Sequence, residues 1–513
     1  MKNKLIWLFG LTVVFASCDV NNDIETIPEV VVPTVALEAG SADFTSYVAV
    51  GASFTAGYTD GALFKASQEN SFPNILATKF AMVGGGDFKQ PLMNDNIGGL
   101  LLQGNLAASP RLYFNGSGPA VLPGTPTTEI TSGVTGPFNN MGIPGAKSFH
   151  IVANGYGNKA GVSFGLANPY YARMASSDAT NVLADAMRAN PTFFTVSELG
   201  GNDVLAYAIS GGAGVDQTGN TNPATYGSND ITDPNVFASA FNAVVTTLMS
   251  TGAKGVVATL PNITSLAHFT TVPYNPVPLD AATAAAVNSG YAPYNTGIQG
   301  AFTALVGMKL MTQAQADAEI AKRTIQFSAG KNAVVIIDED LTDLEALNPA
   351  FAGLKQYRQA TATDLLVLPS SAFIGTTVGG NAQLINGVSV PLADKWVLTP
   401  QEQLSIKTAT DAYNATIKAV ATAKGLAMVD FEAILVEAST TGIKFDEYTM
   451  TTNLVMGGLI SLDGIHLTAR GYALMANKFL AAIDATYGSN FLKATSGLAK
   501  AGDYPTNYSP TLQ

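Results

Sequence analysis

Four short clusters in this chain carry residues suited to acyl-transfer chemistry. Hydrolysing an ester through a serine needs a nucleophile, a base to take its proton, a group that orients the base, and donors for the oxyanion. Ser53, in Gly51-Ala52-Ser53, is the candidate nucleophile. Asp463-Gly464-Ile465-His466 sets a carboxylate three residues before an imidazole, a spacing that puts both on one side of a turn. The chain has three histidines, His150, His268 and His466, and His466 alone has an acid at that spacing. Leu199-Gly200-Gly201-Asn202-Asp203 offers two glycines for a tight turn that exposes the Asn202 amide. In Asn140-Met141-Gly142-Ile143-Pro144-Gly145, the Gly145 N–H can point toward an anion. Each cluster alone also reads as an ordinary turn, and Gly-x-Ser triplets are common in a chain with 50 glycines.

The elements around these clusters must bring them together. Tyr47-Val48-Ala49-Val50 is a short apolar run ending at Gly51, the pattern of a buried strand that delivers Ser53 to its carboxyl end. Ser71-Phe72-Pro73 opens a helix, with Ser71 as N-cap. Residues 84–137 are rich in Gly, Pro, Asn and Thr and read as loops. Residues 192–198 predict a strand, Asp233-Pro234 caps a helix to about Gly252, and residues 255–260 predict a further strand. Thr399-Pro400-Gln401-Glu402 is a capping box for a helix ending near Gly425. A strand over 427–431 and a helix from about Thr468 to Gly488 follow. Strands joined by helices at this spacing predict an α/β fold with a parallel sheet, whose ligands bind at the carboxyl ends of the strands. Residues 269–398 break the rhythm with an Ala-rich helical stretch (281–323) and apolar strands at 334–337 and 365–368; they read as an insertion, a cap beside the cleft. Residues 491–513 read as a polar tail, and no internal repeat is evident.

Taken together and in this order, the four clusters resemble the SGNH (GDSL-type) hydrolases, whose sequence blocks carry Ser, Gly, Asn and His in turn. Gly51 to Tyr58 is similar to the first block, Asn140 to Gly145 to the second, Gly200 to Asp203 to the third and Asp463 to His466 to the last. The resemblance extends to Phe72-Pro73 and covers roughly 46–268 and 399–490. It implies a three-layer α/β/α sandwich with a parallel central sheet, interrupted by the insertion. It implies that Ser53 attacks the ester, His466 shuttles the proton and Asp463 orients His466. The Ser53 and Gly145 amides and the Asn202 side chain would form the oxyanion hole, each such donor contributing about a hundredfold in rate. Neither metal nor cofactor is implied, and the substrate would be an acyl lipid or an acylated carbohydrate. In one respect the chain departs from the family: Ala52 stands where an Asp is usual.

The amino-terminal residues bear on location. Lys2 and Lys4 precede an apolar run from Leu5 to Ala16, too short to span a bilayer. Phe15-Ala16-Ser17-Cys18 resembles a bacterial lipobox and contains the only cysteine of the 513 residues. The expectation is a signal peptide over 1–17, lipid attachment at Cys18 and a tether over 18–45. That implies an exported protein anchored in the bacterial envelope, with the outer membrane as the expected site. Loss of Lys2 and Lys4 with the signal leaves 24 basic against 38 acidic residues, or −14, which argues against nucleic acid as a partner. Charged residues make up only 12% of the chain, about half the usual share.

Three rival readings remain. Gly161-Val162-Ser163-Phe164-Gly165 matches the G-x-S-x-G elbow, but turn residues precede it where the elbow needs a strand. Asp463 and His466 could hold a metal, although there is no HExxH and the other histidines are distant in sequence. A non-catalytic lipoprotein that binds a glycan or lipid would keep the fold without needing Ser53.

Overall fold

A computed structural model describes residues 35–513; the expected signal peptide, Cys18 and most of the tether lie outside the described residues. Five short strands form an all-parallel sheet: β1 (Tyr47–Gly51), β2 (Asn140–Gly142), β3 (Phe193–Ser197), β4 (Lys254–Ala258) and β5 (Ala427–Val429). Their order is β5-β4-β3-β1-β2. Every residue of β1 and β3 is buried, so both faces of the sheet are covered, which is why these strands are near-continuous apolar runs. The chain leaves β1 to one side to reach β2, then returns to the other side for β3. This reversal opens a crevice at the carboxyl edge. Register makes the crevice usable, because Gly51 lies level with both Gly142 and Ser197. The loops after β1, β2 and β3 therefore start at the same height.

Helices pack around the sheet, and local signals fix where they begin and end. α1 (Ser53–Ala56) is one turn directly after β1. α2 (Phe72–Ala81) starts at Ser71, whose Oγ accepts the Asn74 amide. α3 (Asn202–Ile209) follows β3. α4 (Pro234–Leu248) is capped by Asp233, which accepts the Asn235 and Val236 amides. α5 (Pro400–Lys424) has the reciprocal Thr399–Glu402 capping box and ends on the left-handed Gly425. α6 (Phe431–Thr440) and α7 (Ala469–Tyr487) complete the set. Tyr47 and Phe193 share one sheet face, and their rings meet Phe80 of α2 and Tyr487 of α7. α4 and α5 stack through Phe237 and Tyr413 at 4.4 Å. α5 also grips the loop after β4, where Asn414 accepts the Leu260 amide and donates to its carbonyl.

Outside this framework the structure differs from expectation in four places. Residues 84–137 contain two small hairpins, Leu100–Leu102 with Asn105–Ala108 and Leu112–Phe114 with Pro119–Val121. The helical stretch at 281–323 is two helices, Ala281–Gly307 and Gln313–Arg323, separated where Lys309 turns left-handed and Thr312 caps the second. The supposed tether reaches the core early: Phe44 is buried and stacks on Phe80 at 4.0 Å. Residues 491–513 are packed rather than loose. Phe491 is fully buried, and the buried Arg111 guanidinium donates to the Ser509 and Leu512 carbonyls. Single apolar residues in a polar stretch produce no periodicity, yet Phe44 and Phe491 find places in the core.

The inserted segment has its own small core, which includes Tyr291, Val334, Ile336, Leu366 and Leu392. Val335–Ile337 pairs antiparallel with Tyr357–Gln359, and Leu365–Leu366 with Val397–Leu398. Between them Arg358, itself buried, bonds Asp338 and takes Asp364 through two nitrogens at 2.7 Å.

Candidate active site

Ser53 begins α1 at the carboxyl end of β1, where its hydroxyl meets an imidazole carried by the loop before α7. Ser53 Oγ lies 2.9 Å from His466 Nε2, and His466 Nδ1 lies 2.8 Å from Asp463 Oδ2. Burial alone would raise the Asp463 carboxyl. The His466 charge and bonds from His466 and the Ile465 amide outweigh burial and hold it below the usual carboxylate range. An ionised Asp463 can only accept, so Nδ1 donates to it and Nε2 is left to accept the serine proton.

The loop carrying the acid and base is braced by the stretch that follows the nucleophile. Asp463 Oδ1 accepts the Ile465 and His466 amides at 2.9 Å, and Oδ2 accepts the Gly61 amide at 2.9 Å. Asp60 Oδ1 accepts the Leu462 amide, and the Thr59 hydroxyl donates to the Leu467 carbonyl. The rings of Tyr58 and Phe54 flank His466 at 4.7 and 5.5 Å. Burial pushes Asp60 up to about 7, so this support carries only part of a full negative charge beside Asp463 near neutral pH.

The three groups expected from the sequence to face an oxyanion lie in the loops after β1, β2 and β3. Among the described residues, neither the Ser53 nor the Gly145 amide donates to a protein group. Gly145 has φ +79°, a left-handed conformation that favours glycine. The Asn202 side-chain amide donates to the Ala146 carbonyl at 3.0 Å, which fixes its plane and leaves one N–H available. Asp203 ties this block to the one before it by accepting the Ser148 amide and hydroxyl at 2.8 and 2.6 Å. Asn140 joins the second block to the first by donating to the Thr55 carbonyl. A Cβ on Gly142 would stand 2.2 Å from the Ala56 amide, so this glycine lets α1 lie directly on β2.

Two residues not singled out in the sequence support the site. Glu198, at the end of β3, sends its carboxylate under the nucleophile loop. Its Oε1 accepts the Ala52 and Thr55 amides at 2.6 and 2.9 Å, and its Oε2 accepts the Thr55 hydroxyl. Burial is the largest influence and pushes its carboxyl up to about 7. A buried carboxylate thus serves this loop even though position 52 is alanine. The available signal was the acid immediately before Leu199-Gly200-Gly201, at a strand end. His268, distant in sequence from His466, lies behind the acid loop: its amide donates to the Gly464 carbonyl, and its Nδ1 is 3.4 Å from the Asp463 carbonyl oxygen. That contact between distant segments left no local trace in the sequence.

The rival residues lie elsewhere. Ser163 is exposed in a 3-10 turn (Lys159–Phe164) with no strand leading into it. His150 stacks on Tyr156, and burial together with Lys147 lowers it to about 4. Asp463 and His466 spend their facing atoms on each other. Glu339, Asp394 and Glu402 bring three carboxylates within 4.8 Å of one another, but none of them lines a cleft at Ser53.

Two clefts meet at Asn202 and Leu205. One reaches Ser53 and is walled mainly by aliphatic side chains of α6, α7 and the loop after β4. The other, which is larger, includes Gly145, Lys147, His150, Asn154 and Asn168. Residues 269–398 line neither; the inserted segment touches the site from behind, where Leu368 packs near Gly464. Comparison of the chain with protein-family models, curated proteins and solved structures gave no match.

Proposed function

We propose that this chain is a serine-dependent carboxylic ester hydrolase of the SGNH type. The observation that carries the reading is the continuous relay Ser53 Oγ–His466 Nε2 and His466 Nδ1–Asp463 Oδ2, in a cleft that the Asn202 side chain also lines. Further support comes from the order of the four sequence blocks and from the level strand ends that carry three of them.

In this mechanism Ser53 Oγ attacks the ester carbonyl carbon as its proton moves to His466 Nε2. The carbonyl oxygen becomes an oxyanion facing the Ser53 and Gly145 amides and Asn202 Nδ2. Asp463 stabilises the resulting imidazolium. Collapse of the tetrahedral intermediate breaks the bond to the alkoxy group, and His466 gives that oxygen its proton. Water then attacks the acyl-serine, with His466 again as base, and releases the carboxylic acid and Ser53.

The reading includes export and lipid attachment at Cys18, supported by the basic start, the short apolar run and the small residues before the cysteine. No described helix is long and apolar enough to cross a membrane.

The direct test is hydrolysis of p-nitrophenyl esters by residues 19–513 beside Ser53→Ala. Loss of kcat by ~10⁴ or more in the variant is expected for a nucleophile. Equal rates in both proteins would sink the assignment. Turnover absent from both, with a lipid or glycan still bound, would favour a non-catalytic binder.

A further inference from the structure

We propose that the apolar cleft beside Ser53 is an acyl-chain site, and that the substrate is an ester of a medium-length or long fatty acid rather than an acetyl ester. The proposal rests on the hydrolase reading and specifies what that site accepts.

The argument begins with the walls. Leu260, Phe431, Ile434, Leu435, Leu474 and Met475 line the cleft that reaches Ser53. Only three of the lining side chains are polar, namely Ser53, Glu198 and Asn202. Glu198 gives its oxygens to the Ala52 and Thr55 groups, and Asn202 is aimed by the Ala146 carbonyl. The cleft beyond them therefore offers nothing with which to hydrogen-bond a sugar. An acetyl group has a single methyl beyond its carbonyl and would leave most of this wall without a partner. A hydrocarbon chain satisfies it by displacing water from apolar surface, and each methylene buried strengthens binding by roughly fourfold at most.

The second cleft fixes the orientation. An ester has two ends, and the two clefts meet at Asn202, beside the expected oxyanion position. The larger cleft carries the exposed polar side chains of Asn154, Ser163, Thr221, Asn235 and Ser239, so it suits a polar alcohol portion. The acyl chain then occupies the aliphatic side. The wall is adjustable at Ile434, which is only partly buried on α6, whereas Phe431 and Leu435 of the same helix are core residues.

Three measurements test this. The first compares kcat/KM for p-nitrophenyl acetate and octanoate, with octanoate expected to be preferred by roughly tenfold or more if several methylenes are buried. An acetate preference would overturn the proposal. The second uses the isomers methyl octanoate and heptyl acetate, which differ only in the side of the ester that carries the long chain. Faster turnover of heptyl acetate would overturn the orientation. The third is calorimetric binding of decanoate to Ser53→Ala, with and without Ile434→Trp. Binding that Ile434→Trp weakens about tenfold or more is expected from filling the cleft. Ile434→Trp in the active enzyme should reduce octanoate turnover by a larger factor than acetate turnover; equal losses on both, or no loss on either, would contradict the site. If Ile434→Trp fails to fold, Ile434→Ala takes its place, with weaker decanoate binding expected and unchanged binding contradicting the site. Decanoate binding to Ser53→Ala needs no catalysis. Binding without any ester turnover would keep the acyl site and reject the hydrolase, whereas turnover without decanoate binding would do the reverse.

Discussion

Glu198 combines a left-handed backbone, at φ +46°, with a fully enclosed carboxyl, and a non-glycine residue tolerates such a conformation only where its surroundings hold it. What holds it is the nucleophile loop, through the Ala52 amide and both the amide and hydroxyl of Thr55. Under the proposed hydrolase reading, Glu198 positions Ser53 through its bonds to Ala52 and Thr55 on either side of it. Glu198→Ala leaves two buried amides without an acceptor, at about 1–3 kcal/mol each. Its kcat should fall, while Glu198→Gln, which retains an acceptor oxygen, should recover most of it; equal losses in both variants would remove the positioning role. The same carboxyl makes stability depend on pH. Its folded value of about 7 lies above the ordinary 4.5. The folded state therefore keeps a proton that the unfolded chain has released. Stability from this group is fully present below about pH 4.5, declines by up to roughly 1.4 kcal/mol per unit as pH rises toward 7, and levels off above that. Urea unfolding at pH 5 and at pH 7.5 should show a larger drop for the wild type than for Glu198→Gln. Equal drops would mean that Glu198 ionises as freely in the fold as outside it.

At the scale of elements, the inserted segment depends on charges it has taken out of water. Arg358 joins the strand Tyr357–Gln359 to Asp338 and Asp364, and all three side chains are buried. Removing one partner strands the others, so Arg358→Met should cost about 3–5 kcal/mol. Because residues 269–398 line neither cleft, the kcat of Arg358→Met at low temperature should stay near that of the wild type while its thermal unfolding midpoint falls. A loss of kcat without a fall in the midpoint would show instead that the segment governs the chemistry. The elements readable in the sequence were those with their own punctuation. Asp233-Pro234, Thr399-Pro400 with Glu402, Thr468 and the terminal Gly425 and Gly488 mark helix ends that the structure keeps within a few residues. The strands at 47–51 and 193–197 were readable because burial on both faces makes them near-continuous apolar runs. β2 was not: Asn140–Gly142 has no apolar run, and its pairing with β1 supplies its structure. The four blocks identified the candidate residues, but the links between them, such as Asp203 to Ser148 or Glu198 to Ala52, join distant segments and have no local pattern.

For the whole molecule, the carboxyl-terminal residues close the fold rather than trail from it. Phe491 sits among Phe44 and Phe80, and the Arg111 guanidinium gathers carbonyls near the chain end. Phe491→Ala should therefore destabilise the protein by about 3 kcal/mol or more in urea unfolding, whereas a change near zero would return residues 491–513 to the status of a tail. The beginning of the described fold is held at the same place: the Ser41 amide donates to the Tyr487 carbonyl and the Glu38 amide to Asn490. From there β1 runs its five residues, about 17 Å, straight to Ser53. Residues 38–41 are thus pinned near the amino edge of the sheet and Ser53 lies at its carboxyl edge, so a disturbance at these first described contacts must pass the length of β1 before it reaches the serine.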